Sequence, residues 1–320
     1  MSAKSPRLLA IIAIMAMIGF GFIACGDDET HEHTWSQTWS SNATQHWKEC
    51  TGEGCDAKTE TANHAPADGV CITCGYDNLI IVSISAGTLT WSSAIITLSA
   101  FKMSIYEITR EQYQEVMGTN PSSFSLSPAT GETQGKRPVE NMTWYDAIEF
   151  CNKLSTKEGL TPVYTITGRT PATGYPITAA TVTGNWSNNG YRLPTEAQWE
   201  YACRAGTTTD WYFGNTEADL VNYAWYETNA NSMTHQVGKK TANAWGLYDM
   251  HGNVFEWCWD WYSTYPTSNQ TDYKGPSSGI ARVLRGGSWS HLAWSTHSDS
   301  RNLNNPDGRN RNFGFRVVRP

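Results

Sequence analysis

Three times between residues 109 and 198 a threonine is followed, three positions later, by Gln or Asp: Thr109 with Gln112, Thr143 with Asp146, and Thr195 with Gln198. That spacing marks a helix start. The threonine hydroxyl accepts from a backbone N–H that has no partner in the first turn, and the later side chain reaches back to the threonine's own N–H. The residues after each start agree with it. Tyr113, Val116 and Met117 form an apolar stripe closed by Gly118, Ala147, Phe150, Cys151 and Leu154 form a second, and Gly206 stops the third run. Strand-like runs at 79–84 and 95–98 precede the helices, with Ala86-Gly87 and Ser92-Ser93 as turn signals. Beyond Gly206 the helical period gives way to Asn/Gly turns and aromatic clusters, with late strands at 283–285 and 313–318. The pattern predicts an α+β fold, two or three helices packed on small twisted antiparallel sheets with long ordered loops. The Thr/Gly/Pro/Asn-rich stretch 160–189 reads as an inserted surface excursion. Cys151 and Cys203, on the second and third helices, read as small buried hydrophobes.

The first 78 residues are of another kind. Lys4 and Arg7 precede an apolar run at 8–22 that is short for a membrane span and ends in Ala24-Cys25-Gly26. A small residue before cysteine at the end of such a run resembles the lipobox of bacterial lipoproteins. The resemblance implies that Cys25 is acylated and becomes the new N-terminus, with Asp27, Asp28 and Glu29 beginning a hydrophilic tether. It places the protein on a lipid anchor at the cell envelope, facing outward, with residues 1–24 as signal peptide.

Residues 31–76 concentrate His31, His33, His46, Cys50, Cys55, His64, Cys71 and Cys74. Cys71-Ile72-Thr73-Cys74-Gly75 has the form of a zinc knuckle, and Cys50 with Cys55 would complete a tetrahedral structural site. Two disulfides are the competing reading, since an exported protein keeps them. Either staple suits a segment too short to be stabilised by burial alone. The sequence thus divides at 25–78, tether and Cys/His segment, and 79–320, the main domain. Net charge is −7 with no basic run, which excludes nucleic acid as the expected partner.

In the main domain a series of motifs runs in order: Tyr106-Glu107-Ile108-Thr109, Arg137-Pro138-Val139, Tyr191-Arg192-Leu193-Pro194-Thr195-Glu196, Gly246-Leu247-Tyr248-Asp249-Met250-His251-Gly252-Asn253-Val254-Phe255-Glu256-Trp257, Arg285-Gly286-Gly287-Ser288-Trp289, and Gly314-Phe315-Arg316. The series resembles the formylglycine-generating-enzyme (sulfatase-modifying factor) family, a variant of the C-type lectin fold. The resemblance implies that fold and either of two functions, copper-dependent oxidation or non-catalytic binding. The oxidases hold copper on two cysteines shortly after the Gly-Gly-Ser motif. The matching places here are His291 and Thr296, and no cysteine follows Cys258. A binder needing no cofactor is therefore expected. The alternative is an oxidase or related metalloenzyme using His291 with His297. The family's calcium sites map onto Asp249, Gly252, Val254 and Glu256, two carboxylates and two backbone carbonyls, unless these only organise a polar turn.

Residues 290–312 are dominated by Asn, Ser, His, Asp, Arg and Thr and hold no Lys, Glu, Gln or Met. An asparagine codon scrambled at its adenines yields that set and never Lys, Glu, Gln, Met or Trp. The window resembles the variable regions of diversity-generating retroelement targets, which lie at the C-terminus of this same fold. The positions expected to vary and to contact ligand are Ser290, His291, Leu292, Ser295, Thr296, His297, Ser298, Asp299, Ser300, Asn302, Leu303, Asn304, Asn305, Asp307, Gly308, Asn310, Arg311 and Asn312. Ala293, Trp294, Arg301 and Pro306 have codons that can lack adenine and would stay fixed, and Trp289, Trp294 and Phe315 are expected to anchor the backbone. The expected partners are proteins or other surface ligands. A fixed-specificity adhesin or envelope module with an ordinary Asn-rich loop is the remaining reading.

Overall fold

Each of the three capping boxes opens a helix. In the computed structural model α1 (Arg110–Met117), α2 (Trp144–Lys157) and α3 (Glu196–Arg204) begin at Thr109, Thr143 and Thr195, with both reciprocal cap hydrogen bonds present in every case. Gly118 ends α1 in the left-handed region, as expected. At α3 the left-handed residue is Ala205, one position before the expected Gly206, and Gly206 continues the turn with φ 93°.

The structure describes residues 79–320 and, before them, only short strands. Ser40–Ser41, Gln45–Trp47 and Ala62–Asn63 form one small sheet, and Pro66–Ala67 pairs with Val70–Cys71. The chain divides into two compact units, Met1–Ala65 with Ile72–Cys74, and Pro66–Cys71 with Gly75–Pro320. The lipidation candidate Cys25, the zinc candidates Cys50, Cys55 and Cys74, and His31, His33 and His64 lie outside the described residues, while Cys71 and His46 fall within short strands. Among the described residues no helix is long and apolar enough to cross a membrane.

The main unit joins three small sheets. One has the order Arg301–Asn304, Arg282–Arg285, Phe255–Trp261, Phe313–Gly314. Gln270–Thr271, Ala94–Leu98 and Gly87–Trp91 form the second, and Val318–Arg319, Phe101–Ser104 and Ile81–Ile84 the third. Two pairings are parallel, Phe255–Trp261 with Phe313–Gly314 and Ala94–Leu98 with Gln270–Thr271, so the sheets are not wholly antiparallel. Both bring together segments far apart in the chain, which local patterning cannot register. The 160–189 surface excursion has regular structure of its own. It forms a hairpin, Tyr164–Thr170 against Ala179–Gly184, whose alternating burial leaves one face on α2.

Apolar burial explains why these pieces meet. Tyr113 of α1 stacks on Phe150 of α2 at 5.6 Å, and Phe150 meets Phe315 edge-on at 5.1 Å. Trp144, Trp199 and Trp257 are fully buried, the kind of aromatic payload that dominates core energetics. Cys151 and Cys203 are free thiols within this core, as is Cys258, and burial pushes the Cys203 thiol up to about 12.

The core is also unusually polar. Arg137, Arg285 and Arg316 are among its largest fully buried side chains. Asp260, next to the end of the strand Phe255–Trp261, accepts from the Glu196 backbone N–H at 2.8 Å. Burial, and after it the charge of Glu196, pushes its carboxyl from 3.8 up to about 8. A carboxyl whose pKa rises on folding stabilises the folded chain fully below its unfolded pKa, and that contribution is lost as pH rises through the folded value. Stability is therefore expected to decline between pH 3.8 and about 8, and Asp260→Asn to flatten the decline. Urea midpoints at pH 5 and pH 8 for both proteins check it, an unchanged slope counting against the assignment.

Candidate ligand-binding site

The Gly-Gly-Ser motif and the residues after it leave the strand Arg282–Arg285 and return to the sheet edge as Arg301–Asn304. Gly286 and Gly287 both have positive φ, 93° and 78°. A Cβ on Gly287 would come within 2.7 Å of Thr296 Cγ2 and 2.9 Å of the Ser295 carbonyl. The motif persists because the segment 290–300 folds back directly onto it.

That segment is held by its main chain. Ser298 N–H donates to Asp210 O at 2.7 Å, and His291 O accepts from Glu227 N–H at 3.0 Å. Further on, Trp144 N–H donates to Pro306 O, Asn141 N–H to Asn310 O and Phe255 N–H to Asn312 O, at 3.0, 3.0 and 2.8 Å. Arg285 gives Nη2 to Ser298 O at 3.0 Å and Nη1 to Ser300 O. Every one of these bonds uses a backbone atom of the segment, so none depends on the segment's side-chain identities.

Two carboxylates on α3 anchor the arginines involved. Arg285 Nη2 donates to Glu200 Oε2 at 2.5 Å, and Trp91 Nε1 donates to the same oxygen at 2.9 Å. Arg301 forms a bidentate pair with Glu196, Nε to Oε1 at 2.6 Å and Nη2 to Oε2 at 2.7 Å. Its guanidinium also lies 4.1 Å from the Tyr265 ring and 4.5 Å from Tyr262. Among the positions expected to stay fixed, Arg301 is thus a structural clamp.

Exposure divides the expected ligand contacts. Leu292, Asp299, Leu303, Asn305, Asp307, Asn310 and Arg311 are exposed, and Ser290, His291, His297, Ser300, Asn302, Asn304 and Gly308 are half-buried. Four of the expected contacts need correction. Ser295, Thr296, Ser298 and Asn312 are buried and face the domain interior, so they belong to the frame. Thr296 Oγ1 accepts from Trp211 Nε1 at 2.8 Å and donates to Ala293 O at 2.7 Å. The anchor assignment is consistent with the burial of Trp289, which donates Nε1 to Arg311 O at 3.1 Å, and of Phe315. It fails for Trp294, which is 64% exposed. A large indole reads as core in the sequence, but the short 3₁₀ turn Ala293–Thr296 sends Ala293 inward and Trp294 out. With Leu292 at 54% and Leu303 at 44%, Trp294 makes an apolar group among short polar side chains.

At the positions the resemblance gives to metals, several side-chain atoms are taken by protein hydrogen bonds. The chain does bring Asp249 and Glu256 together, around Arg316, with most of their oxygens taken by protein donors and Asp249 Oδ1 buried without one. Arg316 donates Nε to Glu256 Oε2 at 2.7 Å and Nη2 to Oε1 at 2.8 Å, and Trp199 Nε1 donates to Oε2 at 2.7 Å. Gly238 N–H occupies Asp249 Oδ2 at 2.7 Å, while burial pushes the Asp249 carboxyl up to about 6. Calcium takes six to eight oxygens, and a guanidinium already holds both oxygens of Glu256. At the copper places Thr296 is committed as above, and His291 Nδ1 lies 2.7 Å from Ser288 Oγ. Neither supplies the thiolate that Cu(I) favours. Among the described residues no three His, Cys, Asp or Glu side chains are gathered as a metal cage.

Comparison with known proteins agrees with this frame. Residues 80–320 match the family described as sulfatase-modifying factor enzyme 1-like domain. "Chaperone protein LppX" of Paenibacillus barcinonensis is 37% identical over 269 residues, 76% of this chain and 89% of that protein. The formylglycine-generating enzyme of Streptomyces coelicolor is 36% identical over 174 residues, 48% of this chain and 54% of the enzyme. Among solved structures, "Treponema denticola variable protein 1" superposes with a TM-score of 0.71 at 44% identity, covering 75% of this chain and 95% of that one. The fold is therefore the α+β, C-type lectin fold of the formylglycine-generating-enzyme type.

Breaking one partner out of a buried ion pair costs about 3–5 kcal/mol. Arg301→Met is expected to show part of that loss in urea unfolding, because it leaves Glu196 with the looser contact to Arg285 Nε at 3.6 Å, whereas Asp299→Ala and Asn305→Ala should stay within about 0.5 kcal/mol. Equal losses at all three positions would contradict a segment clamped by Arg301 and free at its surface.

Proposed function

This chain belongs to the sulfatase-modifying factor enzyme 1-like family, and we propose that within it the protein is a non-catalytic binder that presents residues 290–312 as a diversified surface to protein ligands. The observation that carries the reading is the separation of duties in that segment. Its backbone is tied to the frame at Ser298, Pro306, Asn310 and Asn312, while its exposed side chains make few contacts that substitution would break. Such a surface changes specificity without losing fold, as antibody loops do. Leu292, Trp294 and Leu303 supply the apolar contact that favours a protein over a small polar ligand. The likeness to a protein named variable and to one named a chaperone supports binding over turnover. Thr296 and His291, standing in hydrogen bonds where the oxidases place cysteines, support the same conclusion.

In this reading Cys25 carries the lipid that tethers the domain outside the cell, and the Cys/His segment, stapled by zinc or disulfides, serves as a spacer. Cys25→Ser is expected to abolish incorporation of labelled palmitate and to move the protein from the membrane to the soluble fraction. Retained label would refute the anchor.

Diversification has its own test. A near-copy of the DNA encoding 290–312 is expected near the gene, differing where the copy has adenine, beside a reverse-transcriptase gene. Absence of the copy would remove diversification and leave binding. For binding, a displayed library randomised at Asn302, Leu303, Asn304, Asn305, Asp307 and Asn310 should stay folded and yield binders to unrelated proteins. Misfolding of most members would overturn the assignment, as would failure to select any binder.

A further inference from the structure

Outside the diversified segment, the hairpin strand Ala179–Gly184, the end of the strand Phe255–Trp261 and the loop 274–280 enclose a cleft of about 350 Å³. Its lining contains aromatic walls, serine hydroxyls and two cations, Lys274 and Arg282, and no carboxylate. The cleft is built rather than incidental. A Cβ on Gly275, whose φ is +75°, would come within 2.8 Å of Asp260 Cβ, so the loop lies tightly on the strand beneath it.

Arg282 is the informative residue. It is 4% exposed, with its guanidinium 3.4 Å from the Trp261 ring centroid and 3.8 Å from that of Trp144. Nη1 donates to Trp259 O at 2.5 Å, but Nε is buried without a hydrogen-bond partner. Arg285 and Arg316 are buried against carboxylates, and the buried Arg137 and Arg192, which meet none, give their Nε or terminal nitrogens to neutral oxygens of Thr234, Gln134, Gln198 and Leu193. Arg282 makes no ion pair among the described residues, an arrangement that is costly for a buried cation unless an anion completes it. Burial lowers Arg282 only to about 9, so it is charged at neutral pH. The nearby Asp260 is pushed up to about 8 and leaves that charge largely uncompensated.

We propose that this cleft binds an acidic sugar unit, its carboxylate against Arg282 and Lys274, its ring against the indoles of Trp259 and Trp261, and its hydroxyls toward Ser277 and Ser278. The volume lies at the small end of ligand pockets. Two cations without an acid select an anion. Half-buried indoles and a hydroxyl-bearing rim favour a polyol ring over a bare phosphate or an acidic peptide. The lining residues lie outside 290–312, so this specificity stays constant while the neighbouring surface varies. The two are adjacent, since Arg282 pairs in register with Asn304.

The test is titration of the full-length protein, followed by tryptophan fluorescence and calorimetry, with a hexasaccharide alternating glucuronate and N-acetylglucosamine. Neutral chitin hexasaccharide, sodium phosphate and tri-glutamate are the comparison ligands. Saturable binding of the acidic hexasaccharide is expected, weaker by about tenfold or more for each comparison ligand. Lys274→Glu should weaken it by a similar factor, while Leu303→Ser leaves it unchanged. Lys274 is exposed, so its variant keeps the test decisive even where Arg282→Gln fails to fold. Absence of binding overturns the proposal, as does equal affinity for the neutral sugar, for phosphate or for tri-glutamate. Indifference to Lys274→Glu overturns it as well.

Discussion

Two carboxylates in the first turns of α3 organise this domain. Glu196 and Glu200 are buried, and each is paired with an arginine of the sheet that carries the segment, Glu200 also with Arg204 of its own helix. Arg285 comes from the strand before the Gly-Gly-Ser motif and Arg301 from the strand after the loop. Since breaking one member of such a set leaves an uncompensated buried charge, the strands Arg282–Arg285 and Arg301–Asn304 are held in position however the side chains between them change. Arg285 then passes the constraint on to Ser298 O and Ser300 O. The binding surface is rigid because charges beneath it have nowhere else to go.

The same economy explains which parts of the family's frame the backbone itself requires. The glycines of the motif are required by positive φ and by the close approach of residues 295–296, both properties of the backbone. The copper positions are side-chain properties, and in their place Thr296 closes a hydrogen-bonded turn while His291 pairs with Ser288. The acidic residues that spacing suggested for calcium form a polar core around Arg316. The retained part of the family is the part that makes a stable platform.

Much of this is legible in order along the chain. The capping boxes place α1, α2 and α3 because a cap is a contact between residues three apart, and the buried thiols of Cys151 and Cys203 follow from their place on apolar stripes. Trp289, Phe315 and Arg301 stand apart from their neighbours in sequence and in structure alike. Other features escape. The strand Phe255–Trp261 carries almost no solvent-facing residue, so it lacks the alternation that marks a strand at a surface. The 160–189 hairpin is hidden behind turn-forming composition. Trp294 reads as an anchor because large aromatic residues are usually buried, and Ser295, Thr296, Ser298 and Asn312 read as contacts because small polar residues usually are not.

By itself, then, the sequence determined the helices, the fold family, the turn that needs two glycines and the window whose composition is restricted. Each is either a local contact or an ordered set of local contacts. Tertiary structure alone decided which residues of that window face outward, which arginine meets which carboxylate, and that Arg282 meets none. Those outcomes depend on pairings such as Arg301 with Glu196, 105 residues apart. A buried charge takes the partner that the packed fold brings within reach, and distance in space is not written in distance along the chain.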